Sequence, residues 1–349
     1  FKSLENFEKE MFNLNHLSLP RYFAVFFNFK NSKVLQKLKV RQALSYAIQK
    51  QEILEKIFSG NGKEVNSPIL PDYYNLTPPS KKYFFDLEKA KKILEEEGFN
   101  FNQEIGYRQK IIVKETPPLF KSNLTYGSKG EEVRKLQKCL AKDKEVYPEG
   151  EITGYFGKKT KKAVIRFQEK YASDILFPIG LKKGTGDVKS MTRKKLNHIC
   201  APPKKEILPL KFSLTTVEKF PLPQIAEILK KEWKELGIEV EIKKVSIAEF
   251  ETDILKKRNF EALLFGQSLG SLLDPFPFWH SSKKEYPGLN ISKYQSKEVD
   301  NLLEEIRKTD EEEKRKEKLE KFQNLLIEDI PAIFLIAPDY LYFLSPKIK

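Results

Sequence analysis

The sequence predicts a layered α/β domain that is interrupted by a small, strongly basic, all-α module. Helical patterns alternate with β-prone segments in both flanks of the 349-residue chain, as in layered α/β domains. Proline pairs at 117–118 and 202–203 mark two linkers, and most of the positive charge lies between them. We therefore predict one α/β lobe in two parts, 1–118 and 206–349, and an inserted helical domain at 119–205.

The first part of the lobe begins with a strand that two helices follow. The aromatic run at 19–31 predicts the strand. Apolar residues at helical spacing over 40–57 predict one helix, which Gly60 ends. A second amphipathic helix is predicted between an N-cap at Asp86 and a stop at Gly98.

The second part of the lobe resumes the alternation. Ser246, followed three residues later by Glu249, has the spacing of a capping box. Strands are predicted at 210–216, 238–245 and 261–266, and helices at 221–237 and 246–260. A loop at 267–279 follows, then helices at 296–309 and 310–329 and two strands within 331–346.

The charge of the chain is concentrated in its middle. The formal net charge is +14, and residues 121–205 hold 18 Lys and 3 Arg against 9 Asp and Glu. This balance favours an anionic partner or surface for the insert. Lysine-rich helix faces that contact only solvent are the alternative. No stretch approaches 18 uninterrupted apolar residues, so no membrane span is predicted.

Both cysteines, Cys139 and Cys200, lie near the ends of this basic segment. A disulfide is expected, as is typical of oxidising compartments, with two buried thiols as the alternative. The histidines are scattered at His16, His198 and His280 and have no metal-ligand spacing. We therefore predict no metal and no cofactor.

The insert contains an internal repeat. The segments "TGYFGKKTKKAV" and "TGDVKSMTRKKL" begin at Thr153 and Thr185, with a period of 32 residues. In both copies a second threonine, Thr160 or Thr192, is expected to cap the N-terminus of a helix. The repeat therefore predicts a small helical bundle with glycine turns.

The insert resembles the peptidoglycan-binding type 1 domain, a three-helix cell-wall module. The marks of that family are G-x-x-G before V-x-x-L-Q, then G-x-F-G-x-x-T before A-V-x-x-F-Q. In this chain they fall on Gly127, Gly130, Val133, Leu136, Gln137, Gly154, Phe156, Gly157, Thr160, Ala163, Val164, Phe167 and Gln168. Most of these residues, including Leu136, Phe156 and Phe167, are expected in the core.

The resemblance implies contacts with the wall at four candidate residues. Tyr155 could stack on a sugar face, and Lys158 and Arg166 could meet carboxylates. Gln168 is the fourth candidate. Simple exposure to solvent is the alternative for each of them.

The flanks resemble the family 5 extracellular solute-binding proteins of peptide and nickel ABC importers. A strand ending at Phe27-Asn28 is followed by V-R-Q-A-L-x-Y-A-I-x-K at 40–50. Two further segments, at 87–99 and 222–250, match later sequence elements of the same family. The resemblance implies a lobe like those of periplasmic binding proteins, with a mixed sheet and flanking helices. It implies mainly the second lobe, with the first lobe and a signal sequence expected outside this chain.

The loop "FGQSLGSLLDPFPFW" is expected to face the ligand because it follows an apolar strand. The candidate ligand-binding residues are Gln267, Ser268, Ser271, Asp274 and Trp279. Dipeptide-binding relatives carry an Asp at the position of Ser271, where it pairs with the ligand's ammonium group, so this chain lacks that contact. Core packing is the alternative for Trp279.

The expected function is that of the extracytoplasmic substrate-binding component of an ABC importer, for peptide-like solutes. The insert would hold it at peptidoglycan or another anionic wall polymer, in the periplasm or at the cell surface. The expected partners are the solute, the permease and the wall, with membrane contact only through a lipid anchor outside this chain. A wall-remodelling protein or hydrolase accessory is the alternative. The residues offer no catalytic constellation, so no enzyme is predicted, and no motif for nucleic acid is present.

Overall fold

A computed structural model of the chain describes residues 13–270 and 273–344. The chain divides into two compact units. Unit 1 comprises the described residues up to Lys110 and from Leu208 onward, and unit 2 comprises Ile111–Ile207. The second unit thus lies, in sequence, between the two parts of the first.

The strands are short and alternate with helices along unit 1. Their bounds are β1 Asn13–Leu17, β2 Arg21–Phe27, β3 Gly62–Glu64, β4 Asn100–Asn102, β5 Tyr107–Lys114, β6 Lys204–Pro209, β7 Lys211–Val217, β8 Glu239–Val245, β9 Ala262–Ser268, β10 Ala332–Pro338 and β11 Tyr340–Leu344.

The helices flank the strands in unit 1 and make up most of unit 2. Their bounds are α1 Leu38–Tyr46, α2 Lys50–Phe58, α3 Pro71–Tyr74, α4 Leu87–Glu96, α5 Glu131–Leu140, α6 Lys158–Lys170, α7 Ala172–Ile175, α8 Ser190–Cys200, α9 Leu222–Glu235, α10 Ile247–Glu249, α11 Phe276–Trp279, α12 Lys297–Lys308 and α13 Glu312–Asp329. A π-helical segment at Phe250–Leu255 continues α10.

A six-stranded mixed sheet forms the centre of unit 1, in the order β3-β10-β2-β9-β7-β8. β7 runs parallel to β8 and β9, β2 is antiparallel to β9 and β10, and β3 is antiparallel to β10. The carboxyl ends of β7, β8, β9 and β10 therefore meet the amino ends of β2 and β3 along one edge. Helix α9 makes the crossover between the parallel strands β7 and β8.

The flanking helices bury large side chains against this sheet. Trp233 of α9 is fully buried, with its ring 5.6 Å from that of Phe212 on β7. Its indole N–H donates to the Leu44 carbonyl oxygen of α1 at 3.2 Å. The buried ring therefore satisfies its polar atom, as buried Trp usually does. Two smaller sheets accompany the main one, β1 with β11 and β4-β5-β6.

The buried Arg41 guanidinium ties α1 to the end of α13. It donates to four backbone carbonyl oxygens, those of Leu35, Gln36, Asp329 and Ile330, at 2.6–2.9 Å. Burial lowers the pKa of Arg41 to about 10, and its four carbonyl acceptors offset much of the desolvation cost.

The predicted helix over 40–57 is two helices, α1 and α2. The N–H of Gln49, between them, donates to the Glu232 carboxylate of α9 at 2.9 Å instead of continuing the helical ladder. Two predicted helix starts in unit 1 are confirmed. Asp86 and Ser246 both accept from the backbone N–H three residues on, at 2.9 and 3.2 Å.

Unit 2 packs its helices around an apolar core. Leu136, Phe156 and Phe167 are buried in it, as predicted. A disulfide joins Cys139 of α5 to Cys200 of α8, across 61 residues of sequence with a Cα–Cα distance of 5.9 Å. It therefore links the first and last long helices of the unit.

A buried glutamine holds each repeat of unit 2 in place. The amide of Gln137 donates to the Tyr155 carbonyl oxygen at 2.9 Å and to Thr160 Oγ1 at 3.0 Å. Its oxygen accepts from the Gly154 N–H at 2.8 Å. Each contact bridges the preceding helix to the next glycine turn.

Gln168 makes the same contacts in the second repeat. Its amide donates to the Asp187 carbonyl oxygen at 2.8 Å and to Thr192 Oγ1 at 2.9 Å, and it accepts from the Gly186 N–H at 2.9 Å. Thr160 and Thr192 are therefore not N-caps, which corrects the prediction. Both lie inside their helices and are buried as hydrogen-bond acceptors of the glutamines.

Among the residues that the structure describes, none of the helices combines the length and the apolar character needed to cross a bilayer.

Reduction of the disulfide should destabilise unit 2 selectively. In the chain-entropy model, releasing a 61-residue loop costs about 4 kcal/mol. In denaturant titrations with dithiothreitol, the far-UV signal should therefore lose part of its amplitude at lower denaturant. Tryptophan emission should keep its midpoint, because both tryptophans, Trp233 and Trp279, belong to unit 1. Equal shifts of both signals would contradict this account.

The buried Glu232 carboxyl should make unit 1 less stable as pH rises. Burial raises its pKa to about 7, so the folded chain keeps a proton that the unfolded chain loses near pH 4.3. Stability should therefore fall between about pH 4.3 and 7 and level off above. Glu232→Gln should flatten this slope and be about 1–3 kcal/mol more stable at pH 8. Glu241→Gln, at an exposed glutamate of β8, is the control, and an unchanged slope in Glu232→Gln would refute the assignment.

Candidate functional site

The edge of the main sheet where the strand ends meet carries two neighbouring cavities. The larger has a volume of about 720 Å³ and the other about 530 Å³. Both are lined by Pro338 and Asp339, at the end of β10. Together they form a crevice along the sheet edge, which we call the edge crevice. Ligands of open α/β sheets bind at such edges, outside the carboxyl ends of strands.

The larger cavity has mostly apolar walls. The rings of Phe250 and Phe265 pack with centroids 4.4 Å apart, and those of Phe23 and Phe58 lie 6.2 Å apart. The apolar lining residues are Phe23, Phe58, Val217, Phe220, Pro221, Leu222, Ile247, Phe250, Leu255 and Phe265. Such walls with a few polar groups are typical of small-molecule sites.

Polar groups of the larger cavity lie where β2 and β9 pair. Arg21 is opposite Ser268, and Tyr22 is opposite Gln267. Gln267 is buried, and within the described part of the chain its side-chain N–H group has no hydrogen-bond partner. An unpaired buried donor costs about 1–3 kcal/mol. This amide nitrogen is thus an unsatisfied donor in the wall beside the cavity, and protein atoms enclose it.

The smaller cavity is more polar. Lys63 and Asp72 form an exposed ion pair across its rim at 3.4 Å. The Asp339 carboxylate accepts from Ser18 Oγ at 3.1 Å and lies 3.6 Å from the His16 imidazole. The edge crevice thus has one mostly apolar cavity and one more polar cavity.

Unit 2 exposes a pair of tyrosines. The ring centroids of Tyr126 and Tyr155 are 6.4 Å apart. The Lys129 ammonium lies 5.5 Å from the Tyr155 ring centroid, and a backbone bridge pairs the same two residues. Aromatic faces beside a cation suit the stacking of sugars that also carry carboxylates. We call Tyr126, Lys129 and Tyr155 the tyrosine surface.

Two family models match the chain. The model of bacterial extracellular solute-binding proteins, family 5 Middle, matches residues 5–143, and that of the putative peptidoglycan binding domain matches residues 129–172. The chain is therefore similar to the family 5 extracellular solute-binding proteins over residues 5–143. Both recognitions made from the sequence are confirmed, and so is the predicted fold class.

Curated relatives match parts of this chain. The oligopeptide-binding protein OppA of Lactococcus lactis subsp. cremoris is 40% identical over 78 residues, 22% of this chain and 13% of the relative. Heme-binding protein A of Haemophilus influenzae is 32% identical over 81 residues, 23% and 15% of the two chains. The oligopeptide-binding protein AppA of Bacillus subtilis is 25% identical over 199 residues, which are 55% of this chain and 33% of the relative.

Solved structures of the family share the fold. AppA of Bacillus subtilis, in complex with a nonapeptide, superposes with a TM-score of 0.64 at 19% identity, over 99% of this chain and 50% of that one. NikZ of Campylobacter jejuni, with Ni(L-His), gives 0.60 at 21% identity, over 99% and 51%. The chain thus spans about half the length of these solved relatives.

The structure places the candidate ligand-binding residues in different surroundings. Gln267 and Ser268 lie in the wall of the larger cavity. Ser271 lies outside the described residues. Asp274 accepts from the Phe276 N–H at 3.1 Å and pairs with Arg307 at 2.6 Å, so its carboxylate has structural partners.

Trp279 lies in the core, which was the alternative for this residue. Its ring is buried, with centroids 6.2 Å from Phe26 and 6.1 Å from Phe334. Sequence reasoning missed Phe220 and Ile247, which follow β7 and β8 and line the larger cavity. Both positions could have been predicted from the sequence, because the loops that follow parallel strands reach the same edge of the sheet.

The four wall candidates of unit 2 also differ in exposure. Tyr155 and Lys158 are exposed. Arg166 is half-buried and lies 3.8 Å from the Glu149 carboxylate. Gln168 is buried and its amide is fully engaged inside the unit, so it is corrected to a structural residue. Tyr126 and Lys129 were missed because only the fold brings them to Tyr155.

Within residues 13–270 and 273–344, no three His, Cys, Asp or Glu side chains gather as a metal ion would require.

Proposed function

We propose that the chain is part of the extracytoplasmic substrate-binding component of an ABC importer for oligopeptide-like solutes, with unit 1 forming one wall of the solute site. The observation that carries this proposal is the edge crevice. Its position at the strand ends and its apolar walls suit a ligand with apolar side chains. The role is binding, without catalysis.

Peptides fit the edge crevice better than metal chelates do. The described lining residues of both cavities include neither His nor Cys, the side chains that nickel prefers. Solved relatives hold both ligand types, a nonapeptide in AppA and Ni(L-His) in NikZ. The aromatic walls favour the first type for this chain.

For unit 2 we propose a tether to peptidoglycan, at the cell wall. The match over residues 129–172 supports it, as does the tyrosine surface. The formal charge of unit 2 supports it too, because its lysines outnumber its carboxylates and wall polymers are anionic. The tether would keep the solute site close to the wall and the permease.

Peptide binding should depend on Phe220 at the larger cavity. Its ring is 60% exposed and lines the crevice, so Phe220→Ser removes apolar contact area without disturbing the core. Short peptides that carry a benzophenone side chain should cross-link to residues of the edge crevice, as mapped by mass spectrometry. We expect a five- to tenfold lower yield in Phe220→Ser, for a loss of about 1–1.4 kcal/mol.

Phe84→Ser is the matched control for this experiment, because Phe84 is 67% exposed and does not line either cavity. Its yield should equal that of the unmodified chain. Cross-links that map away from the crevice, or equal yields in both variants, would refute the assignment of the solute site.

Wall binding should depend on Tyr155. Tyr155→Ala should weaken co-sedimentation of the full chain with purified peptidoglycan about three- to tenfold, since an aromatic contact contributes about 0.5–1.5 kcal/mol. Tyr286→Ala is the matched control, because that exposed tyrosine of unit 1 also has a lysine, Lys256, over its ring. If both variants sediment like the unmodified chain, the tyrosine surface does not bind the wall.

A further inference from the structure

Unit 2 exposes an apolar turn that neither proposed site uses. Phe177, Ile179 and Leu181 are 63%, 54% and 37% exposed, and every residue over 177–183 is exposed. Single exposed apolar residues are common on protein surfaces. Three within five positions form a patch, and such patches mark interaction surfaces. We call residues 177–183 the apolar tip.

The apolar tip is an ordered turn. The N–H groups of Ile179 and Leu181 donate to the Leu176 carbonyl oxygen at 3.1 and 3.0 Å, and that of Gly180 donates to the Phe177 carbonyl oxygen at 3.1 Å. Gly180 has φ +72°, a conformation that favours glycine. Leu176 is itself buried in the core of unit 2. The fold therefore holds these side chains in solvent, at a fixed place.

Lysines flank the apolar side chains. Lys182 and Lys183 are exposed, and neither forms an ion pair with a residue that the structure describes. The side chain of Lys161 packs against the next turn. Its Cγ atom lies 2.7 Å from the position that a Cβ atom would take on Gly186.

Two carboxylates lie near the apolar tip. Glu169 accepts from the Gly184 N–H at 3.3 Å, and Asp174 is paired with Lys195 at 2.6 Å. The tip itself carries two lysines and no acidic residue. Its charge is therefore positive, and the free ammonium groups stand next to the apolar side chains.

The apolar tip also lies outside the matched wall-binding module, which ends at residue 172. It connects the two glutamine-held repeats, between α7 and the turn at Thr185. Neither repeat needs exposed apolar side chains here, because each buries its own core residues. The packing of unit 2 thus gives no reason for Phe177 and Ile179.

We propose that the apolar tip docks on an anionic membrane surface. Phe177, Ile179 and Leu181 enter the boundary between headgroups and acyl chains, while Lys182 and Lys183 contact headgroup phosphates. Interfacial protein segments combine these two chemistries, an apolar set and adjacent cations. A wall polymer offers anionic groups but no apolar interior for three such side chains. The proposal uses neither the edge crevice nor the tyrosine surface, so it stands apart from the proposed function.

Vesicle co-sedimentation of the full chain tests this proposal. The chain should bind vesicles of phosphatidylcholine with phosphatidylglycerol and bind phosphatidylcholine vesicles much less. Phe177→Ser with Ile179→Ser should lower the partition coefficient about tenfold or more, because the apolar contact is lost. Lys182→Gln with Lys183→Gln should lower it about tenfold, and only on the anionic vesicles. Ile152→Ser, at another exposed isoleucine of unit 2, should change nothing.

A second measurement reports insertion directly. In Phe177→Trp the new tryptophan should shift its emission to the blue on anionic vesicles, while the native Trp233 and Trp279, both buried, stay constant. Retained binding to peptidoglycan in the Phe177→Ser, Ile179→Ser variant would separate the tip from the wall tether.

Three results would overturn the proposal. The first is a chain that stays in the supernatant with anionic vesicles. The second is a Phe177→Ser, Ile179→Ser variant that sediments like the unmodified chain. The third is an unmodified chain that forms dimers, which this variant loses, because the tip would then be a contact between copies.

Discussion

The direction and register of β2 constrain the whole candidate site of unit 1. β2 runs antiparallel between β9 and β10, so its amino end meets their carboxyl ends. Arg21 is thereby fixed opposite Ser268, while Pro338 of β10 is fixed opposite Gly62 of β3. A slip of one residue would turn every side chain of β2 to the other face. The edge crevice exists because these strand ends coincide.

Buried polar side chains that make several hydrogen bonds hold both units in shape. Arg41 joins two helices through four carbonyl oxygens, and Gln137 and Gln168 join each glycine turn to the preceding helix. Burial of each polar group costs desolvation free energy, which the hydrogen bonds to its partners offset. Directional bonds of this kind select one arrangement of the elements, which apolar contacts alone specify less sharply.

Local patterns were enough to predict most elements, the helix starts at Asp86 and Ser246 and the core of unit 2. Local patterns failed where contacts with residues distant in sequence determine the structure. The helix break at Gln49 depends on Glu232, 183 positions away. In the site, Gln267 and Ser268 were predicted because they directly end a strand. Phe220 and Ile247 come from other loops that only the sheet order brings together. Trp279 was ambiguous because an aromatic residue after a strand suits a pocket or a core equally.

The central claim is that unit 1 binds its solute at the edge crevice, and hydrogen–deuterium exchange tests it most directly. The full chain would be compared with and without a mixture of short peptides. The account predicts slower exchange at 217–222, 247–251 and 265–268, which line the larger cavity, and no change in unit 2. Slower exchange confined to unit 2, or to the outer helices α12 and α13, with none at these three segments, would contradict it.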